Sequence, residues 1–225
     1  MLAGGIGTRL RAVVPHLPKP MAPIGSRPFL EILLGSLARK GIQRAVLSLG
    51  YMADTISSHF GESFADMDLA YVVENSPLGT GGAVRLAITR CLGDHVFVLN
   101  GDTFVDLEVE SVEHLWQANH HAVIVGRKVS DTGRYGRLLA SEGRVRGFSE
   151  KGLTGPGLIN AGCYVLGRHQ LDAWQLNVPF SLESDYFAKI VAAEPVDVFE
   201  TSGLFIDIGI PEDFLRAQEI LAHLA

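Results

Sequence analysis

The chain of 225 residues is poor in cysteine, in long apolar runs and in net positive charge. Two cysteines, Cys91 and Cys163, cannot build a disulfide framework or a thiolate metal cluster, and such usage suits a reducing cytoplasm. Apolar runs are short, as at 96–99 and 122–125, far below the roughly 20 residues a membrane-spanning helix needs. No basic start followed by an apolar stretch marks a secretory signal, so neither membrane nor export is expected. Charged residues make up 20% and the net charge is -6, which leaves no basic face for nucleic acid. One local absence stands out: residues 1–30 contain no Asp or Glu, yet they carry Arg9, Arg11, Lys19 and Arg27.

Hydrophobic residues at 47% and a mean hydropathy of +0.22 are enough for a full core. Glycine is over-used: 25 residues, about 11% against an average of about 7%. No repeat, low-complexity stretch or linker interrupts the chain, which reads as one domain. Apolar β-branched runs at 44–49, 69–74, 95–99, 122–129 and 158–165 read as strands. Helical spacing occurs at 29–40, with Gly41 where a C-cap belongs, and again at 81–91 and 181–193. A last helix opens at Pro211 with Glu212 and Asp213 in its first turn. This alternation predicts an α/β fold with a mostly parallel sheet and helices on both faces, its ligands beyond the carboxyl ends of the strands.

The densest glycine run is Gly4-Gly5-Ile6-Gly7-Thr8-Arg9-Leu10. Leu10 stands where G-x-G-x-x-G needs its third glycine, and no G-K-[ST] follows, which disfavours a nicotinamide reductase and a P-loop NTPase. Backbone N–H groups unshielded by side chains, joined by Arg9 and Lys19, suit a polyphosphate; the plainer reading is a tight turn with solvated basic residues. Pro15, Pro18, Pro20 and Pro23 stiffen the arm that bears Lys19. Asp102 follows the run 96–99, and Asp207 follows 204–206. Magnesium is held by one or two carboxylates plus substrate phosphates, so the two fit a half-site, although a lone Asp after a strand is more often a cap or turn residue. Adjacent His120 and His121 read as a solvated helix end.

Gly4-Gly5-x-Gly7-Thr8-Arg9-Leu10 with Pro18-Lys19-Pro20 resembles the signature of sugar-1-phosphate nucleotidyltransferases. Further matches run in order: Pro77-Leu78-Gly79-Thr80-Gly81-Gly82-Ala83, Asn100-Gly101-Asp102, Glu150-Lys151, Asn160-Ala161-Gly162, and Asp207-Ile208-Gly209 with Pro211-Glu212-Asp213. More narrowly, Pro20-Met21-Ala22-Pro23-Ile24, Pro28-Phe29-Leu30-Glu31 and Arg134-Tyr135-Gly136 are similar to the guanylyltransferase branch acting on D-glycero-D-manno-heptose 1-phosphate. The resemblance implies a Rossmann-like, mostly parallel mixed sheet flanked by helices, the nucleotide-diphospho-sugar transferase fold, in a single domain. Its nucleotide part would span about 1–105 and its sugar-phosphate part about 106–225.

The same resemblance implies roles. Arg9 and Lys19 are the catalytic cations. Leu2, Ala3, Gly4, Gly5, Gly7, Thr8, Glu74, Pro77, Gly79, Thr80, Asn100 and Gly101 bind the nucleotide. Gly136, Glu150, Lys151 and Asn160 bind the sugar phosphate, and Asp102 and Asp207 hold Mg²⁺. The implied substrates are GTP and a sugar 1-phosphate, with room for a homodimer. A carboxylate only accepts, so Glu74 suits the two adjacent donors of guanine better than uracil or thymine. Mannose 1-phosphate guanylyl transfer, uridylyl or thymidylyl transfer to a hexose phosphate, and a silent sugar-nucleotide-binding scaffold are the alternatives. Standing alone, Glu150-Lys151 is a commonplace surface pair.

The chain also departs from the pattern. Relatives carry several apolar residues ahead of Leu-Ala-Gly-Gly, where this chain has Met1 only, so most of a central first strand is expected to be missing. Phe205 replaces a common Trp and Ile210 a common Thr. No appended β-helix domain follows Pro211, so regulation through one is not expected.

Overall fold

The computed structural model describes residues 1–5, 7–149 and 152–224. A short antiparallel ribbon, β1 (Pro23–Ile24) and β2 (Arg27–Pro28), leads into helix α1 (Phe29–Arg39). The expected stripe Phe29, Leu30, Leu33, Leu34 and Leu37 is buried along its inner face. Then come β3 (Arg44–Leu49), α2 (Ala53–Phe60), β4 (Ser63–Phe64) and β5 (Met67–Val73), with β5 parallel to β3 and antiparallel to β4. Leu2 makes parallel bridges to Ser48 of β3 and to Asn100. Leu2 thus lies between β3 and Asn100, backed by hydrogen bonds from Ala3 N to Ser48 O at 2.8 Å and from Ser48 N to Met1 O at 2.9 Å.

These elements belong to the first of two compact units, residues 1–77, 100–104 and 206–225. The second comprises 78–99 and 105–205. The chain enters it through α3 (Gly79–Ile88) and β6 (His95–Leu99), and β7 (Thr103–Val105) begins in the first unit. Next come α4 (Val109–Asn119), β8 (Ala122–Val129), β9 (Leu138–Ser141), β10 (Arg144–Phe148) and β11 (Gly157–Gly167). A π-helical turn, Leu182–Phe187, runs into the three-residue α5 (Ala188–Ile190), followed by β12 (Val196–Thr201). The chain returns to the first unit along β13 (Phe205–Asp207), which pairs with β7, and ends in α6 (Pro211–Ile220) with Pro211 in its first turn as expected.

The sheet of the second unit runs β6-β11-β8-β12-β10-β9. It is mixed, but only β8 and β12 are parallel neighbours; the other four pairings are antiparallel. The mostly parallel expectation therefore describes the first unit and not the second. A parallel neighbour needs a crossover, usually a helix, and between β8 and β11 the chain instead forms the hairpin β9–β10, so β11 returns antiparallel beside β8. Among the described residues no helix is long and apolar enough to cross a membrane. Burial pushes the Cys163 thiol up to about 12, so it stays a neutral core group.

Charge joins the hairpin to the sheet. Asp197 of β12 is 2% exposed and accepts from Arg144 Nη1 at 2.5 Å and Asn119 Nδ2 at 2.8 Å, while His121 Nδ1 accepts from the same Arg144 Nη1 at 2.6 Å. His121 is thus tied as a hydrogen-bond acceptor to the Arg144–Asp197 pair rather than lying at a solvated helix end, while exposed His120 does cap α4 in the left-handed region. Removing one partner of a buried pair leaves the other charge uncompensated. Asp197→Ala is expected to lower unfolding free energy by about 3 kcal/mol, read as a lower urea midpoint at unchanged slope.

Candidate active site

In the first unit the carboxyl ends of parallel segments converge. Gly4 follows the Leu2 bridge, Gly50 follows β3, Glu74 follows β5, and Asn100 pairs beside Leu2. Tyr51 N donates to Gly4 O at 3.2 Å, Glu74 N to Leu49 O at 2.8 Å, and Gly101 N to Leu2 O at 2.8 Å. Ligands bind at such an end of an open α/β sheet. A Cβ on Gly4 would stand 3.0 Å from Glu74 Oε1, so glycine there lets the loop lie against that carboxylate. Ser48, fully buried, donates its hydroxyl to the same Oε1 at 3.3 Å. Gly7 sits at a φ of +64°, and a Cβ there would meet Lys19 Cβ at 2.9 Å. The glycine loop and the lysine arm are therefore fitted to each other.

Lys19 opens a 3-10 turn, Lys19–Met21, behind Pro18, with Pro20 and Met21 buried. That rigid turn carries its ammonium to Asp102 Oδ2 at 2.5 Å, with side-chain exposures of 10% for Lys19 and 37% for Asp102. Arg9 is exposed and makes no hydrogen bond or ion pair among the described residues, while Arg11 lies over the Tyr51 ring at 4.6 Å. Gly5 and Thr8 are exposed on the same loop, and Pro77 is exposed beyond Glu74.

Asp102 and Asp207 come together through the backbone: Asp102 O accepts from Ile208 N at 3.0 Å. Asp207 Oδ1 accepts from Gly209 N at 2.6 Å, which orients its carboxylate. No group of three or more metal-ligating side chains occurs among the described residues. Two carboxylates on adjoining strand ends suit magnesium, which takes its remaining ligands from phosphates and water. A cationic group already seated on Asp102 shows that this carboxylate is placed to hold a positive charge.

The second unit contains the expected sugar-side residues. Gly136 adjoins Ser149: Arg137 N donates to Ser149 Oγ at 3.1 Å and Ser149 N to Arg137 O at 2.9 Å. Glu150 and Lys151, the next residues in the chain, lie outside the described residues. The loops on either side are strapped together. Fully buried Thr132 donates to Leu153 O at 2.6 Å, and Asp131 Oδ1 accepts from Gly133 N and Gly155 N at 3.1 and 3.0 Å. Those two N–H groups hold the Asp131 carboxyl below its ordinary value.

Asn160 stands at a register shift in β11, where Oδ1 accepts from Gly162 N at 3.0 Å and Nδ2 donates to Tyr164 OH at 2.8 Å. At the start of α3, Gly79 is exposed, and Thr80 Oγ1 donates to Glu183 Oε2 at 2.7 Å and accepts from Leu182 N at 2.8 Å. Sequence reasoning found Thr80 and Asn160 but not Tyr164 or Glu183, which tie into both. The region 181–193 reads as a plain helix by period, whereas its first half is π-helical. One signal was present: Ser181 is a cap, but the acid that reaches back to its N–H is Asp185, four residues on rather than three.

The nucleotidyl transferase family model matches residues 1–223. The chain is 36% identical over 225 residues to D-glycero-alpha-D-manno-heptose 1-phosphate guanylyltransferase of Aneurinibacillus thermoaerophilus, covering 99% of this chain and 97% of that one. It is 35% identical over 219 residues to the enzyme of the same name from Campylobacter jejuni, covering 95% of each. The crystal structure of HddC from Yersinia pseudotuberculosis complexed with GMP-PN superposes with a TM-score of 0.86 at 37% identity, covering 98% of this chain and 97% of that one.

Proposed function

The chain belongs to the nucleotidyl transferase family, and on that premise we propose that it transfers GMP from GTP to D-glycero-D-manno-heptose 1-phosphate, giving GDP-heptose and pyrophosphate. The observation that carries this reading is the similarity to two guanylyltransferases of that name over nearly their whole length. The reaction would run in the cytoplasm and supply an activated heptose for surface polysaccharide. Within the chain, residues of about 1–105 serve mainly the nucleotide and those of about 106–225 the sugar phosphate.

In the reaction an oxygen of the sugar 1-phosphate attacks the α-phosphorus of GTP in line, and the bond to the β-phosphate breaks. The attacking phosphate is already ionised, so no general base is required, and catalysis is positioning and charge neutralisation. The N–H groups around Gly4, Gly5, Gly7 and Thr8 cradle the triphosphate, and exposed Arg9 holds the departing pyrophosphate. Lys19, held rigidly at Asp102, faces the charge that develops at the α-phosphate. Asp102 and Asp207 would hold Mg²⁺, which supplies further neutralisation of the phosphates when bound. Leu2, Ala3, Pro77, Gly79, Asn100 and Gly101 complete the nucleotide side, and Gly136, Glu150, Lys151 and Asn160 the sugar side.

Base choice rests on Glu74. Its position against Gly4 and Ser48 puts an acceptor-only group beside the glycine loop. Guanine offers N1–H and the N2 amino group to such a carboxylate, whereas uracil and thymine would set a carbonyl against it. An unpaired buried polar group costs about 1–3 kcal/mol, so kcat/KM for GTP is expected to exceed that for UTP or dTTP by about 10- to 100-fold. Glu74→Gln is expected to narrow that ratio. A wild-type preference for UTP or dTTP contradicts the guanylyl reading.

A further inference from the structure

Glu183 lies on the π-helical turn Leu182–Phe187, and both of its carboxylate oxygens are used inside the second unit. Oε1 accepts from Tyr164 OH at 2.8 Å, and Oε2 accepts from Thr80 Oγ1 at 2.7 Å and Ser181 Oγ at 3.0 Å. A carboxylate only accepts, so the tyrosine must spend its single proton on Glu183. The phenol oxygen is then left as an acceptor, and the group that donates to it is Asn160 Nδ2, at 2.8 Å. With Gly162 N on Oδ1, the Asn160 amide is held at both ends. One N–H of that amide has no part in either bond.

The surroundings give this chain of bonds a fixed direction. Tyr164 is 1% exposed and stacks on Phe187 at a centroid distance of 5.3 Å. Burial first, and then the charge of Glu183, pushes its phenol well above the ordinary value, so it keeps its proton. Both ends lie on local departures from regular structure: Glu183 on an expanded helical turn and Asn160 at the irregularity of β11. Such departures cost regular hydrogen bonding and recur where a side chain must be re-aimed.

We propose that Glu183 and Tyr164 are positioning residues for the sugar side: the relay Glu183–Tyr164–Asn160 holds the Asn160 amide in the orientation that meets sugar hydroxyls. The inference rests on the assignment of Asn160 to the sugar phosphate given above. Tyr164→Phe removes only the hydroxyl of the relay, and Glu183→Gln keeps the shape while removing the charge that orients it.

The test measures KM separately for GTP and for whichever sugar 1-phosphate the wild type turns over fastest. Tyr164→Phe is expected to raise the sugar-phosphate KM about tenfold while the GTP KM stays within about twofold; Glu183→Gln, which also releases Thr80 Oγ1, is expected to raise the sugar-phosphate KM at least as much. The double variant is expected to be no worse than Glu183→Gln alone, since along the relay the two act in series. An unchanged sugar-phosphate KM in Tyr164→Phe, or parallel rises of both KM values in that variant, overturns the proposal. If Glu183→Gln does not fold, Tyr164→Phe alone decides by the same criteria.

A second readout needs no substrate. The Asn160 side-chain amide proton directed at Tyr164 OH, assigned by its loss in Asn160→Asp, is expected to exchange slowly in the wild type and fast in Tyr164→Phe. Slow exchange persisting in Tyr164→Phe overturns the relay. Should the wild type turn over no sugar phosphate, the catalytic reading fails and the exchange measurement still decides the relay.

Discussion

Asp102→Asn and Asp207→Asn are each expected to lower kcat by about 100- to 1000-fold, the scale seen when a preorganised electrostatic partner of the transition state is removed. Excess EDTA should abolish wild-type turnover to a similar extent. The Asp102 variant should also lose stability. Asp102 is the partner of Lys19, whose side chain is only 10% exposed, so the asparagine leaves a mostly buried ammonium without its counter-charge. Because Asp102 itself is 37% exposed, that loss is discounted to about 1–2 kcal/mol. Asp207→Asn keeps an oxygen that accepts from Gly209 N, so that bond is not lost. Circular dichroism and urea titration establish that both are folded before kinetics are compared. Full activity of both variants, or of wild type in EDTA, contradicts the two-aspartate assignment.

Lys19→Ala is the mirror image of this experiment. It frees Asp102, which is exposed enough to be solvated, so the expected loss of stability is below about 1 kcal/mol. Yet kcat should fall by about 100- to 1000-fold, with the sugar-phosphate KM changing far less, if the ammonium acts, as proposed, on charge that develops in the transition state. Arg9→Ala should follow the same pattern with no loss of stability, since Arg9 is exposed and supports nothing else among the described residues. Wild-type kcat in both variants returns the basic loop to a solvated turn.

How much of this was legible in the sequence depended on whether the signal was local. The strand before Asp102 and the opening of α6 at Pro211 carry their meaning within a few residues, and each stands where its pattern put it. Lys19 and Asp102 were each legible alone, but their pairing spans 83 residues, and nothing near either one announces it. Asp197 sits in an apolar strand as one polar residue among Val196, Val198 and Phe199. Only the return of the β9–β10 hairpin supplies its arginine. That hairpin also made the second sheet largely antiparallel, because apolar runs reveal strands but not the direction in which they pair. Glu183 was missed for a related reason: a period of 3.6 does not distinguish an α-turn from a π-turn with one residue more.

The most direct test of the central claim is pyrophosphate release from GTP with D-glycero-D-manno-heptose 1-phosphate, compared with mannose 1-phosphate and glucose 1-phosphate under the same conditions. The account predicts release matched one-to-one by GDP-heptose, with kcat/KM for the heptose phosphate at least about tenfold above either hexose phosphate, a margin of roughly 1.4 kcal/mol. Equal or greater turnover of mannose 1-phosphate or glucose 1-phosphate, or no release with any of the three, contradicts it.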